Sequence, residues 1–445
     1  MILGNGFVIE EKARKGMKIV ICFILFLYPI LLFEADVGGV PIQTWMLYIS
    51  IAALALCYAS GGKKPRKNWR ASFDRCGIIA ILLALYECIR IVGNLFFYHK
   101  DTAYRQEIMI ISFVVLYFLI AARPLFSEKY FHVVLFAGLV VFSLLIIHYL
   151  SGSGADRLME VMLKDNRKAA SFAVLVCTIA LCQYCRSYSR YRSIFFGAVA
   201  FVGFLILFLN KNAVSIWLML SVFIAIPIVF HPTVELVKRD MQMLFLYLFL
   251  FGNMGFLTTY TGLIKGGVAY SLDSCIYLNV AIVIGGIFFF RMWEKIPPDV
   301  DIKRLVIKRL GRKCFILLKI CAAGAALVFI NGANWKELPD GMGMSAIKAA
   351  LVPVVEEVQT GKSAFYLCLE GQGIIGSLLI LALCICMVMQ IYKNHDRDWP
   401  VTGVLTMVAG VFFAQLLFWG ECMNTLPLYV IFVLFAVFIE KGRAK

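Results

Sequence analysis

The sequence predicts an all-α protein, a polytopic bundle of about fourteen transmembrane helices, and three observations predict it. First, 62% of the 445 residues are hydrophobic and only 16% are charged, whereas a water-soluble chain is about 45–50% apolar and about 25% charged. Second, the mean hydropathy is +0.85, and the apolar residues gather in runs near the length of about 20 residues that a helix needs to cross a bilayer. Third, Lys and Arg are partitioned between alternate connecting segments. A soluble enzyme is excluded, and so is a disordered chain, since Leu, Ile, Val and Phe run through nearly every segment.

The segments are 17–34, 43–60, 76–98, 107–123, 130–150, 170–185, 194–209, 213–230, 241–261, 271–291, 314–331, 363–392, 401–419 and 426–440. The first is a span rather than a cleaved signal, because no small-residue cleavage site follows Phe33. Charged stretches separate the rest: 63–75 divides the second from the third, 186–192 the sixth from the seventh, and 291–313 the tenth from the eleventh. An even number places both termini on one side. With the N-terminus inside, the inner segments hold 30 Lys and Arg and the outer ones 11, while Arg90 and Lys319 lie within spans. That asymmetry is the signature of cytoplasmic loops. It accounts for the net charge of +16 without nucleic acid, which a soluble protein of that charge would suggest.

The chain reads as one membrane domain, 1–445, with two aqueous segments of their own character. Residues 299–313 set Ile302, Leu305, Val306 and Leu310 on one stripe amid six basic residues, the pattern of a basic amphipathic helix on an anionic leaflet, with an ordinary charged connector as the alternative. Residues 331–362 form the longest outer loop, and its second half repeats apolar residues at helical spacing with Pro353 as a kink.

Two glycine motifs carry no nucleotide chemistry. GQGIIG at 371–376 lacks the preceding strand that a dinucleotide fingerprint needs, and glycines at that spacing let membrane helices approach closely. Gly361-Lys362-Ser363 has Glu356 where a phosphate loop would begin with glycine. Most of the 14 cysteines lie in apolar runs. Cys182 and Cys185 form one CxxC without a second pair, so neither zinc nor a disulfide is indicated. No outward cluster has metal-ligand spacing, and no metal or other cofactor is expected.

Charged groups inside spans are costly and are candidates for function. Glu87 and Arg90, three apart on the third span, are placed to pair on one helical face. Asp273, Glu370 and Glu421 fall near span ends, where solvated interfacial positions explain them equally well. Arg157, Lys164, Arg167 and Lys168 follow the fifth span, and Lys211 stands at the turn after the seventh. Cations on the outer side run against the positive-inside tendency. Either they are scattered loop charges or they hold phosphate, for which Arg offers two donors at once. His148 lies near the same face, where an imidazole accepts a proton near neutral pH; an interfacial histidine without a catalytic role is the alternative.

KDNRKAASFAVL (164–175), LFLNKNAVSIWL (207–218), the outer loop, SAFYLCLEGQGIIGSLLIL (363–381) and WGECMNTLPLYVIFVLFAVF (419–438) follow one another in an order that resembles the O-antigen polymerase and O-antigen ligase superfamily. The likeness runs from about residue 76 to 440. Three positions depart from the family pattern: Lys211 stands for its Arg, Ser363 for its His, and Glu370 is one residue from the usual acidic position. The resemblance implies a bacterial cytoplasmic-membrane enzyme, a polysaccharide polymerase or ligase. Its donor would be an undecaprenyl-diphosphate-linked oligosaccharide, and its partners membrane lipid and a chain-length regulator or other assembly proteins. Arg157, Arg167, Lys168, Lys211 and Lys362 would then bind the diphosphate, with His148, Glu370, Glu421 and Ser363 as catalytic candidates. The alternatives are a flippase for the lipid-linked unit, or an inactive relative.

Overall fold

A computed structural model describes residues 2–31, 36–37, 40–60, 75–97, 104–122, 125–151, 166–187, 189–209, 213–230, 233–261, 272–294, 364–395, 400–418 and 426–439. Among these residues the chain forms thirteen helices: α1 (Ile2–Ile30), α2 (Ile42–Ser60), α3 (Arg75–Phe97), α4 (Tyr104–Ala121), α5 (Lys129–Ser151), α6 (Asn166–Arg186), α7 (Arg190–Leu209), α8 (Ala213–Val229), α9 (Val234–Thr261), α10 (Leu272–Trp293), α11 (Ala364–Asn394), α12 (Pro400–Phe418) and α13 (Leu426–Phe438). Each overlies one of the predicted apolar segments; the segment 314–331, the basic stretch 299–313 and the loop 331–362 lie outside the described residues.

The all-helical expectation has one small exception. Asp36–Val37 and Val40–Pro41 pair as an antiparallel two-residue ribbon, and the intervening sequence is Gly38-Gly39, a favoured pair for the tightest hairpin loops. Two helices also begin earlier than the apolar runs. α1 runs back to Ile2 through the charged stretch 10–15, where Lys15 pairs Glu11 one turn away at 2.9 Å. α9 starts at Val234, where the Thr233 hydroxyl accepts the Leu236 backbone N–H at 3.2 Å.

Among the described residues five helices contain stretches long and apolar enough to cross a membrane: Ile42–Ser60, Lys129–Ile147, Lys168–Arg186, Arg190–Phe208 and Ile374–Asn394. Large apolar side chains face outward, among them Leu56, Ile89 and Ile374, each at least 70% exposed. On α3 the exposed Ile78, Leu82, Leu85, Ile89 and Val92 recur every three or four residues. They form a stripe opposite the buried Cys76, Ala80, Leu83 and Glu87. Water would not tolerate such a surface, but lipid would.

The chain gathers into two compact units. The first comprises residues 1–137, 362–396 and 408–445. Its core is α13, which is buried almost throughout. Phe435 stacks on Tyr130 at 5.4 Å and Phe432 on Phe131 at 5.8 Å, aromatic pairing that adds to the area buried. The polar ends of the rings are satisfied: Tyr130 donates to the Leu125 carbonyl at 2.8 Å, and the Gln415 amide donates to the Tyr429 hydroxyl at 3.1 Å.

The second unit comprises residues 138–361 and 397–407. Its axis is α6: 89% of its Lys168–Arg186 stretch is buried, against 17% for the Ile374–Asn394 stretch of α11 in the first unit. Small residues permit that enclosure. A Cβ at Gly138 would meet Val176 at 2.8 Å, and one at Gly203 would collide with the Cys177 sulfur. Tyr247 of α9 is fully buried among Phe204, Phe208 and Phe223, and it donates to the Ile216 carbonyl at 2.9 Å. Asn253 and Asn279 exchange amide hydrogen bonds at 2.9 and 3.1 Å, fastening α9 to α10 with the kind of polar contact that joins membrane helices.

Candidate functional site

The Glu87–Arg90 pairing predicted from their spacing is present, with Arg90 Nη1 3.5 Å from Glu87 Oε2. The structure adds a member that spacing did not reveal. Glu107, in the first turn of α4, receives Arg90 Nη2 on its Oε1 at 3.1 Å. One signal of it is present in the sequence: Glu107 is an acidic residue at the first position of a predicted span. The guanidinium also lies over the Tyr86 ring, 5.9 Å from its centroid.

Two carboxylates thus share one guanidinium. Glu87 is fully buried and Glu107 is 2% exposed, and each keeps one oxygen, Glu87 Oε1 and Glu107 Oε2, without a hydrogen-bond partner. Buried carboxylate oxygens are nearly always satisfied. The cluster therefore has two open acceptor positions, suited to hydroxyl or N–H donors.

The remaining predicted residues are distributed along the chain. Arg167 and Lys168 both fall in the first turn of α6, and Lys168 is only 6% exposed. That turn has no acidic residue. A cation at the positive end of a helix is disfavoured by the macrodipole, so a basic first turn is best matched by an anion. His148 is in the last turn of α5 and Glu370 in the second turn of α11; their side chains, like that of Arg167, lie outside the described residues. Arg157, Lys211, Lys362, Ser363 and Glu421 lie outside the described residues as well.

A second polar centre escaped the sequence reading, which counted Arg239 simply as inner-loop charge. Its Nε donates to Glu235 Oε1 at 2.7 Å. Its Nη1 donates to the Tyr184 carbonyl at 3.3 Å, to the Ser193 hydroxyl at 3.3 Å and to the Ser187 carbonyl. These acceptors are the end of α6, the connection after it and the first turn of α7, so one side chain caps a helix and fixes the turn that follows. Tyr184 adds a hydrogen bond to Gln242 at 3.2 Å. The next residue, Asp240, is fully buried with neither carboxylate oxygen hydrogen-bonded.

Cys182 and Cys185 are free thiols buried within α6. Among the described residues no group of three or more His, Cys, Asp or Glu side chains is arranged to hold a metal ion.

Among the described residues the fold defines an all-helical class of protein, with five helices long and apolar enough to cross a membrane and large apolar side chains turned outward. Set against known proteins, the chain matches no family model, no curated protein and no solved structure.

Proposed function

We propose that the protein is a polysaccharide polymerase or ligase of a bacterial cytoplasmic membrane. It spans the bilayer fourteen times with both termini in the cytoplasm and transfers glycan from an undecaprenyl-diphosphate-linked donor. One observation carries this reading: the basic first turn of α6, in which Lys168 is buried at the N-terminus of the most enclosed helix among the five candidate spans. Backbone N–H groups, the helix dipole and two cations there favour a diphosphate. Arg157, Lys211 and Lys362 complete the proposed set.

In the reaction an acceptor sugar hydroxyl attacks the anomeric carbon of the donor. The carbon–oxygen bond to the lipid diphosphate breaks, and the hydroxyl proton passes to His148, Glu370 or Glu421, with Ser363 holding a sugar hydroxyl or a phosphate oxygen. Neutralising the departing diphosphate supplies the electrostatic part of catalysis. Purified protein given donor and acceptor in detergent should form a new glycosidic bond, and Lys168→Ala should reduce that yield while leaving the amount of folded protein unchanged. No bond formed with the correct substrates would refute the enzyme reading. A cysteine at Lys348 should react with a membrane-impermeant thiol reagent in intact cells while one at Arg304 should not; the reverse would invert the orientation and remove the site from the outer face.

A second reading, a flippase for the same lipid-linked unit, is favoured by the Glu87–Arg90–Glu107 cluster, since ionisable groups buried within spans mark transport pathways. Retained transfer in detergent with loss on substituting the α6 cations separates the two.

A further inference from the structure

Between α9 and α10 the second unit carries a groove of about 550 Å³ whose walls are almost wholly apolar. Phe245 and Phe249 line one side, Val283, Ile287 and Phe290 the other, and Gly286 contributes bare backbone. The groove opens outward: Phe249, Val283 and Ile287 are 43%, 51% and 56% exposed. Its polar atoms come at one end, where Arg291 in the last turn of α10 and Glu294 close it. Arg291 is exposed, and among the described residues it makes neither an ion pair nor a hydrogen bond, so its five donors are available.

The sequence that continues from that end is basic. Residues 291–313 carry eight Lys and Arg against three acidic residues, the most basic connection in the chain. An apolar trough that ends in an unengaged guanidinium, from which the chain runs on into a basic sequence, matches an amphiphile with an acyl chain and a phosphate headgroup. A zwitterionic headgroup would bring its own ammonium to that guanidinium, whereas an anionic one would not. Arg also binds phosphate oxygens in pairs, a geometry the ordinary positive-inside role does not use.

We infer that the α9–α10 groove is a binding site for one anionic phospholipid, with an acyl chain along Phe249, Val283 and Ile287 and its phosphate on Arg291. Neither the groove nor the guanidinium depends on what the protein transfers, so failure of the glycan reading leaves this site standing, and the reverse also holds.

The test uses the full-length protein in nanodiscs of equimolar phosphatidylglycerol and phosphatidylcholine, with retained lipid counted by native mass spectrometry after release. The wild type is expected to keep phosphatidylglycerol in preference to phosphatidylcholine. Arg291→Gln should weaken that retention about tenfold, the loss of one charge-assisted contact, and Arg291→Lys should restore part of it. Gly286→Leu should exclude the chain without altering charge; its new Cβ meets only Phe245, at 4.0 Å, so the helix accommodates it. Arg190→Gln, an exposed cation of α7 away from the groove, should change nothing. Equal retention of the two lipids would overturn the site. So would wild-type retention in Arg291→Gln, or an equal loss in Arg190→Gln.

Discussion

Arg90 and Arg239 each anchor a polar centre in an otherwise apolar surrounding, and they are spent differently. Arg239 meets a carboxylate, two backbone carbonyls and a hydroxyl, most of them acceptors that a helix end and a turn leave open in any case. Its centre is a staple, and its geometry is explained by the chain it holds. Arg90 instead divides itself between two buried carboxylates and leaves one oxygen of each unanswered. An arrangement built only for stability would not carry two carboxylates for one guanidinium, because burying charge without full compensation is unfavourable. The contrast separates a structural arginine from one beside open chemistry.

The comparison breaks most readily at Arg90. Arg90→Met leaves two buried carboxylates uncompensated, and a loss of about 3–5 kcal/mol is expected, read as a lowered Tm in detergent. The triple variant with Glu87→Gln and Glu107→Gln should recover much of it. If Arg90→Met melts like the wild type, the cluster is not electrostatically coupled. Arg239→Ala comes next, at about 2 kcal/mol, since charge-assisted bonds to the end of α6 are lost. Its proteolytic cleavage should concentrate at the 187–193 turn; uniform cleavage would contradict the staple.

Glu87→Gln should shift stability by no more than about 1 kcal/mol, because a neutral amide keeps the shape and relieves the charge imbalance. A large fall in transfer or transport by this stable variant would assign its open oxygen to function, whereas unchanged activity would return the centre to the structural class. The smallest effect belongs to Asn279→Ala, at about 0.6 kcal/mol. A double-mutant cycle with Asn253→Ala should recover a coupling of that size, confined to α9 and α10.

Hydropathy marked where helices lie but not where they start. α1 and α9 extend through charged sequence that an apolar window discards, although EEKARK and VELVKRD are sound helix formers held by Glu11–Lys15 and Glu235–Arg239 pairs. Glu87 and Arg90 were legible because they sit on one helix at a known spacing. Glu107, the Tyr184, Ser187 and Ser193 acceptors of Arg239, and the Asn253–Asn279 exchange were not, since each contact joins residues far apart in the chain and a single sequence carries no register between helices. Lys168 was named as a candidate for its charge, while its burial comes from the packing around α6. Arg157, Lys211, Lys362, Ser363 and Glu421 fall outside the described residues, so the proposed constellation rests on their order in the sequence.

The near-complete enclosure of α6 has a consequence for how the protein is made. A segment that starts Asn-Arg-Lys and carries Ser171, Thr178 and Gln183 is a weak candidate to leave the translocon for lipid unaided, since polar and charged residues raise the cost of partitioning. Its partner α7 is the more apolar of the two, and the connection between them is short. The two are therefore best delivered as a hairpin, with the stronger segment carrying the weaker. Arg239 arrives only with α9, so the hairpin stays unlatched until two further helices, α8 and α9, have been synthesised. Ribosome-bound intermediates truncated before Val234 should expose α6 to chaperones and membrane proteases, and those extended beyond Thr261 should not.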